Sequence, residues 1–396
     1  MSAIESPAIQ QQARGRRAVG VVSPKKAPAA VITGFGLVTP LGGNGGETWE
    51  ALLAGRYVAD HARIDTPGRP RVVAMALDAA REAWRSGDRP DEADVGGTAV
   101  VVGTSKGPVQ EWLETAGGAG PEGISQIAAA VAGELKLDGP LLTLSAACAS
   151  GLHALVRGTM LVRARECRRA IVVAAEASVH PLFLGNFQRL GVFPRAGHGC
   201  RPFDRERDGF LMSEAAAAVV LEASADPADG DEIAGSQARI MVDRFCLTAD
   251  ATHLTASDPD AKALRHAMNQ AIGGRPLDLV HAHGTGTLLN DAAELSAIEA
   301  SLPAGRERPL LYSHKGALGH SLGAAGLVAV VLNCLCHRTG KVPGNVRTSS
   351  PLSSDCVEIP RDATRHVVSR SLAVAAGFGG PVAAVSLMTR RPSGCL

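Results

Sequence analysis

The sequence predicts an α/β protein of two similar halves built around buried sheets. Short apolar runs alternate with stretches of helical periodicity, the pattern of strands feeding helices. The strand-like runs are continuously apolar, as in strands covered on both faces. A strand–turn–helix unit also recurs: residues 141–145 lead through a small-residue turn into a helix, and residues 309–313 lead through a glycine-rich turn into another. The turn-rich stretch 226–231 separates the two, placing the halves at 31–225 and 232–396.

Taken in order, residues 1–30 carry Arg14, Arg16, Arg17, Lys25 and Lys26 among Gln, Pro and Ala, and read as a flexible basic tail without a signal-peptide core. Residues 31–37 form the first strand and enter a glycine turn. Helices follow at 47–53 and 75–84, then a β-branched buried strand at 98–102. The strand 141–145 runs through Cys148 into a helix carrying Leu152, Leu155, Val156, Met160 and Leu161, and strands 170–174 and 216–221 complete the first half. In the second half, strand 309–313 precedes an apolar helix at 323–335.

Composition excludes several classes. Forty Lys and Arg balance 39 Asp and Glu, a net charge of +1 that gives a polyanion no electrostatic footprint. Aromatics at 3% leave no stacking platform for nucleic-acid bases. Eight cysteines without a C-x-x-C pair, in a chain of 396 residues, read as reduced thiols of a cytoplasmic protein. No stretch reads as a bilayer span.

Four segments carry chemistry. In Ser145-Ala-Ala-Cys148-Ala-Ser-Gly151 a thiol stands at a strand-to-helix junction among small residues. The free N–H groups of a helix start favour thiolate there and can offer a donor to an oxyanion, although this residue type is also commonly a buried structural thiol. Val280-His-Ala-His283-Gly-Thr285-Gly-Thr287 projects an imidazole from a strand end, with Asp291 and Glu294 downstream. Lys315 and His320 lie five apart on the glycine-rich turn before the apolar helix. The glycines of Gly377-Phe378-Gly379-Gly380 let a backbone N–H be aimed at a developing charge. Each has a plainer reading, respectively a structural thiol, a turn histidine, tight helix packing and a hairpin turn.

In this order the four segments closely resemble the β-ketoacyl synthases of the thiolase superfamily (KAS II-like ketosynthases, or 3-oxoacyl-acyl-carrier-protein synthases). The resemblance extends to Ile32-Thr-Gly-Phe-Gly-Leu-Val-Thr-Pro-Leu-Gly42 and Arg201-Pro-Phe-Asp-Arg-Glu-Arg-Asp-Gly-Phe210, so it spans residues 31 to 388. It implies a thiolase fold, two mixed five-stranded sheets in α-β-α-β-α layers. It implies decarboxylative condensation of an acyl thioester with malonyl-acyl carrier protein. Cys148 would be the nucleophile, and His283 and His320 the donors to the malonyl thioester. Lys315, held by Glu294, would organise the site. The N–H groups of Cys148 and Phe378 would form the oxyanion hole. Thr285 and Thr287 would bind the pantetheine arm, and Phe378 with Gly379 would gate the acyl pocket. The resemblance further implies an acyl carrier protein as partner, a homodimer or a heterodimer with a ketosynthase-like subunit, and no metal or nucleotide cofactor. Against the family pattern, Ser213-Glu214-Ala215-Ala216 stands for Gly-Glu-Gly-Ala, Pro381-Val382 for Thr-Asn, and the stretches 57–75 and 112–141 are short.

Three rivals compete with this reading. Gly103-Thr-Ser105-Lys-Gly107 matches a hydrolase nucleophile elbow. Cys334, Cys336 and His337 resemble soft metal ligands but share one helix. A non-condensing partner subunit is the third, and the retained Cys148 speaks against it.

Overall fold

The computed structural model describes residues 27–67, 70–87, 96–114, 123–224, 239–252, 258–305 and 308–390. The basic stretch before residue 27, the break at 226–231 and Cys395 lie outside the described residues. The first half runs β1 (Ala29–Val38), α1 (Gly45–Leu53), α2 (Arg71–Ser86), β2 (Ala99–Gly103), α3 (Val109–Glu114), α4 (Gln126–Leu135), β3 (Leu141–Leu144), α5 (Ser150–Arg163), β4 (Arg169–Glu176), α6 (Pro181–Arg189) and β5 (Ala215–Ser224). The second runs β6 (Arg239–Ala249), α7 (Lys262–Ile272), β7 (Leu279–His281), α8 (Leu288–Ser301), β8 (Leu310–Tyr312), α9 (Lys315–Leu318), α10 (Ala325–Thr339), β9 (Lys341–Val342), β10 (Thr364–Arg365), β11 (Arg370–Ala376) and β12 (Pro381–Arg390).

Ten strands form one mixed sheet in the order β3-β2-β4-β5-β1-β6-β12-β11-β7-β8, and β9 and β10 make a separate two-stranded ribbon. The order is internally symmetric. β2 pairs parallel with β3 and β4, as β7 does with β8 and β11, while the inner strands of each half pair antiparallel. This corrects the expectation of two five-stranded sheets. The inner edges of the halves are hydrogen-bonded through Ala30↔Val242, Val31↔Met241 and Ile32↔Ile240, so the sheet is continuous. Three residue pairs suffice because an unpaired inner edge would leave buried N–H and C=O groups without partners.

Helices cover the sheet on both faces. α5 touches β2, β4 and β5 of the first half and β6 and β12 of the second, and α10 touches β5 and β11, so these two helices lie between the halves. α2 and α4 pack outside the first half and α7 outside the second. β2 and β4 are buried at every position, which explains their unbroken apolar sequences. Gly34 and Gly36 let α2 lie directly on β1: a Cβ on either would come within 2.1 Å of a helix carbonyl oxygen.

Leu322–Thr339 is, contrary to the sequence reading, long and apolar enough to cross a bilayer, at 18 residues and mean hydropathy 1.4. Within the fold it is a core helix, 78% buried inside the protein. Its apolarity on all sides is what a helix enclosed between two sheet faces requires.

Candidate active site

The site is assembled from equivalent strand ends of the two halves. After β3 the chain turns before α5, and Ala147 adopts φ +46° there. That left-handed conformation costs a residue with a β-carbon roughly 1–2 kcal/mol. Ser150 holds the turn: its Oγ accepts the Ala146 N–H at 2.9 Å and donates to the Ala147 carbonyl at 2.6 Å. The turn delivers Cys148 against an apolar cluster that includes Phe183, Phe187, Phe193, Phe210 and Met212. Burial pushes the Cys148 thiol up to about 11, while Lys315 and Lys106 oppose the rise and Glu176 adds to it. The direction is opposite to that expected from a helix start alone, because desolvation by the aromatic cluster outweighs the nearby positive charge.

In the second half, His283 lies just beyond β7, Lys315 opens the short α9 beyond β8, and His320 follows the tight turn at Gly319. The rings of His283 and His320 are 5.5 Å apart and nearly perpendicular, at 83°. Burial, reinforced by the Lys315 charge, holds both imidazoles well below the usual histidine range, so both are neutral. Phe210 meets the His320 ring edge-on at 5.1 Å and belongs to the cluster that also holds Cys148. Cys148 and the His320 ring thus border the same apolar cluster through Phe210, His283 lies against His320, and the Lys315 charge acts on the thiol and on both rings.

Glu294 acts on Lys315 through its charge, with no direct hydrogen bond between the two side chains among the described residues. Its carboxylate accepts the N–H groups of His283, at 2.6 Å, and Gly284, at 2.7 Å. The Lys315 ammonium donates instead to the His283 carbonyl. The two charges thus clamp the His283 backbone from its N–H and C=O sides. Burial raises Glu294 to about 7 and lowers Lys315, as for charges enclosed together. Thr285 and Thr287 hydroxyls bond each other at 2.9 Å, and Asp291 below them accepts the N–H groups of Gly286 and Phe203.

The Gly377–Gly380 turn closes on Cys148. Gly377 donates to the Pro381 carbonyl at 2.9 Å and Gly380 to the Gly377 carbonyl at 3.1 Å, so proline at 381 is accommodated. A Cβ on Gly377 would lie 3.0 Å from the Cys148 nitrogen, a contact that requires glycine. Among the described residues neither the Cys148 N–H nor the Phe378 N–H has a hydrogen-bond partner. The Phe378 ring stacks on Phe187 at 6.2 Å and is 39% exposed, at the edge of that apolar cluster.

The rival motifs are structural. Ser105 donates its hydroxyl to buried Glu176 at 2.7 Å, which occupies the proposed hydrolase nucleophile. His337 is bonded to Thr389 and Ser371, while Cys334 and Cys336 are fully buried.

Sequence models of β-ketoacyl synthases match more than half of the chain, the N-terminal domain over residues 70–226 and the C-terminal domain over 240–349. The chain belongs to the β-ketoacyl synthase family. It is 29% identical over 422 residues to a 3-oxoacyl-[acyl-carrier-protein] synthase 2 of Mycobacterium tuberculosis, covering 92% of this chain and 98% of that one. It is 28% identical over 406 residues to the tetracenomycin polyketide synthase ketoacyl synthase alpha subunit of Streptomyces glaucescens, covering 88% and 96%. Among solved structures, the ishigamide ketosynthase/chain length factor superposes with TM-score 0.78 at 27% identity, over 92% of this chain and all (100%) of the other. A type II polyketide ketosynthase in complex with its acyl-carrier protein gives TM-score 0.80 at 22% identity over 91% and 99%, a likeness of fold.

Within this β-ketoacyl synthase the departure at Ser213 leaves its hydroxyl buried without a partner among the described residues, while the backbone there and Glu214, which is shared with the family pattern, keep their polar contacts. Glu214 is fully buried and forms a two-toothed ion pair with Arg71, while the Ser213 N–H donates to the His320 carbonyl at 3.0 Å. What the sequence reading does not single out is the aromatic wall. Five of the eight phenylalanines, Phe183, Phe187, Phe193, Phe210 and Phe378, gather in or against the cluster that holds Cys148. The available signal is the i, i+4 spacing of Phe183 and Phe187, which puts both on one face of α6.

Proposed function

We propose that Cys148, His283 and His320 divide between them the condensation of an acyl thioester with malonyl-acyl carrier protein. The Cys148 sulfur attacks the acyl thioester, forming an acyl-cysteine, and its proton leaves with the carrier's thiol. The malonyl thioester then loses CO₂. The electron pair left behind delocalises onto the thioester oxygen, where neutral His283 and His320 donate hydrogen bonds. The new carbanion attacks the acyl-cysteine carbonyl, the Cys148 and Phe378 N–H groups receive the oxyanion, and collapse expels the sulfur, which takes up a proton. The products are 3-oxoacyl-acyl carrier protein and CO₂, a balance that calls for no redox or metal cofactor.

The observation that supports this division is the cluster around Phe210, which meets both the thiol and the His320 ring, with the neutral His283 ring 5.5 Å from His320. Lys315 and Glu294 would fix the His283 backbone, Thr285 and Thr287 would exchange their mutual bond for bonds to a pantetheine arm, and Phe378 with Gly379 would gate entry. Intact mass spectrometry with acyl- and malonyl-acyl carrier proteins tests it. An acyl adduct on Cys148 followed by a product two carbons longer is expected. An adduct that never transfers would point to a non-condensing partner subunit.

We also read the chain as a cytoplasmic protein of two halves, 31–225 and 232–396, behind a basic tail 1–30, and as a homodimer. β3 is an edge strand of the sheet, and Leu141 on it is 47% exposed. Pairing of two β3 edges across a twofold axis would satisfy both and cover that leucine. Light scattering is expected to give twice the chain mass of 40.7 kDa, and a monomer at micromolar concentration would refute the pairing.

A further inference from the structure

Two buried histidines stand beside the catalytic ones and take no part in the scheme above. His281 ends β7, two residues before His283, and His314 immediately precedes Lys315. Both are almost wholly buried, at 0% and 1% exposure. His281 Nε2 and His314 Nδ1 are 2.8 Å apart, and His281 Nδ1 lies 2.8 Å from Asn333 Oδ1 on α10. The three side chains therefore form one hydrogen-bonded line across β7, the turn after β8, and the central helix.

The line has a direction. With Asn333 Oδ1 as acceptor, His281 carries its proton on Nδ1 and must accept at Nε2. His314 then donates from Nδ1, which leaves its Nε2 as a bare acceptor. That nitrogen is buried without a partner among the described residues, as is Asn333 Nδ2. Orphaned polar atoms of this kind destabilise a fold, and apolar side chains would fill the same space without that cost. The line must therefore serve something other than packing. What it joins is the pair of segments whose relative position sets the site, since the Lys315 ammonium reaches the His283 carbonyl across the same gap.

We propose that His281, His314 and Asn333 are positioning residues for decarboxylation, a strap that fixes the β7 end carrying His283 against the β8 end carrying Lys315 and His320. Burial keeps His281 down at about 3 and His314 low as well, so the strap stays neutral and directional through the working range. The proposal rests on the condensation reading, and it separates the two half-reactions. Acylation of Cys148 draws on the turn before α5 and the Phe378 turn after β11, neither of which the strap ties down, and should not need it. Malonyl decarboxylation should.

The test measures both half-reactions on the full chain: acylation of Cys148 from octanoyl-acyl carrier protein by intact mass, and CO₂ release from malonyl-acyl carrier protein. His314→Leu is expected to slow decarboxylation about 10–100-fold, mostly in kcat, the scale of a small misplacement of a catalytic group, with acylation changed less than about threefold. His314→Asn, whose amide nitrogen falls near the lost Nδ1, is expected to recover most of the rate. The His281→Leu/His314→Leu double variant is expected to be no slower than the worse single one, as for parts of one unit. Equal losses in both half-reactions, or no loss in either, would overturn the strap. Should His314→Leu misfold, the folded His314→Asn and His281→Asn variants carry the same comparison, and a rate that Asn fails to preserve at 314 overturns it equally. If the unaltered protein neither acylates nor decarboxylates, the condensation reading itself fails.

Discussion

Cys148→Ala is expected to abolish acyl-enzyme formation and to lower condensation by at least about 10³-fold, the scale on which removal of a covalent nucleophile is felt. The variant should still release some CO₂ from malonyl-acyl carrier protein, because the imidazoles that accept the enolate charge are untouched. Full condensation without this sulfur would refute its assignment. The same thiol offers a pH signature. Burial holds it near 11, only the thiolate reacts, and the thiolate fraction below that value grows tenfold per pH unit. Alkylation of Cys148 by iodoacetamide, followed by peptide mass, is therefore expected to accelerate about tenfold per unit between pH 7 and 9. A plateau near pH 7 would mean that the thiol is already ionised.

His320→Ala and His283→Ala are each expected to slow malonyl decarboxylation about 10²–10³-fold, the usual loss of one donor to a developing oxyanion. Cys148 acylation should survive in both. The neutral state of the rings decides the pH behaviour. Their pKa values lie well below 6.5 because burial and Lys315 oppose the imidazolium, so neither ring should add an acid limb to decarboxylation as pH falls from 8 to 6, and a limb near 7 that persists in His320→Ala belongs to Glu294. An acid limb centred near pH 6.5 that disappears in His320→Ala would show that ring to be ordinarily basic and would sink the neutral-donor role.

Most residues of this site were legible as motifs because they sit at a strand end followed by glycine or alanine, a signature that survives without knowledge of the fold. Cys148, His283, Lys315 and Phe378 are of this kind, following β3, β7, β8 and β11, while His320 comes after α9 and the Gly319 turn and is followed by Ser321. Three things were not legible. The union of the half-sheets depends on three pairs between β1 and β6, more than two hundred positions apart, and no local pattern announces so distant a contact. The ionisation of Cys148 was misjudged because a helix start is visible in sequence, whereas the ring cluster that desolvates the sulfur comes from α6, Phe193, Phe210 and Met212. The hydrogen bonds of Glu294 are the third: an opposite charge at suitable spacing suggests its electrostatic link to Lys315, but not that its oxygens take the N–H groups of His283 and Gly284.

The strand order also sets a timetable for synthesis. All five strands of the nucleophile's half, β1 to β5, have emerged once Ser224 is made, and they can pair at once. β6 can add to β1 and β7 can pair with β8, but the two cannot be joined, because the β11–β12 hairpin lies between them and is made about a hundred residues later. On the ribosome the segment bearing His283 must therefore wait with an open edge beside a finished neighbour, exposed to wrong pairing until Arg390 has left the tunnel. A nascent chain stalled before β11 should consequently hold a protected Cys148 strand and a less protected His283 one.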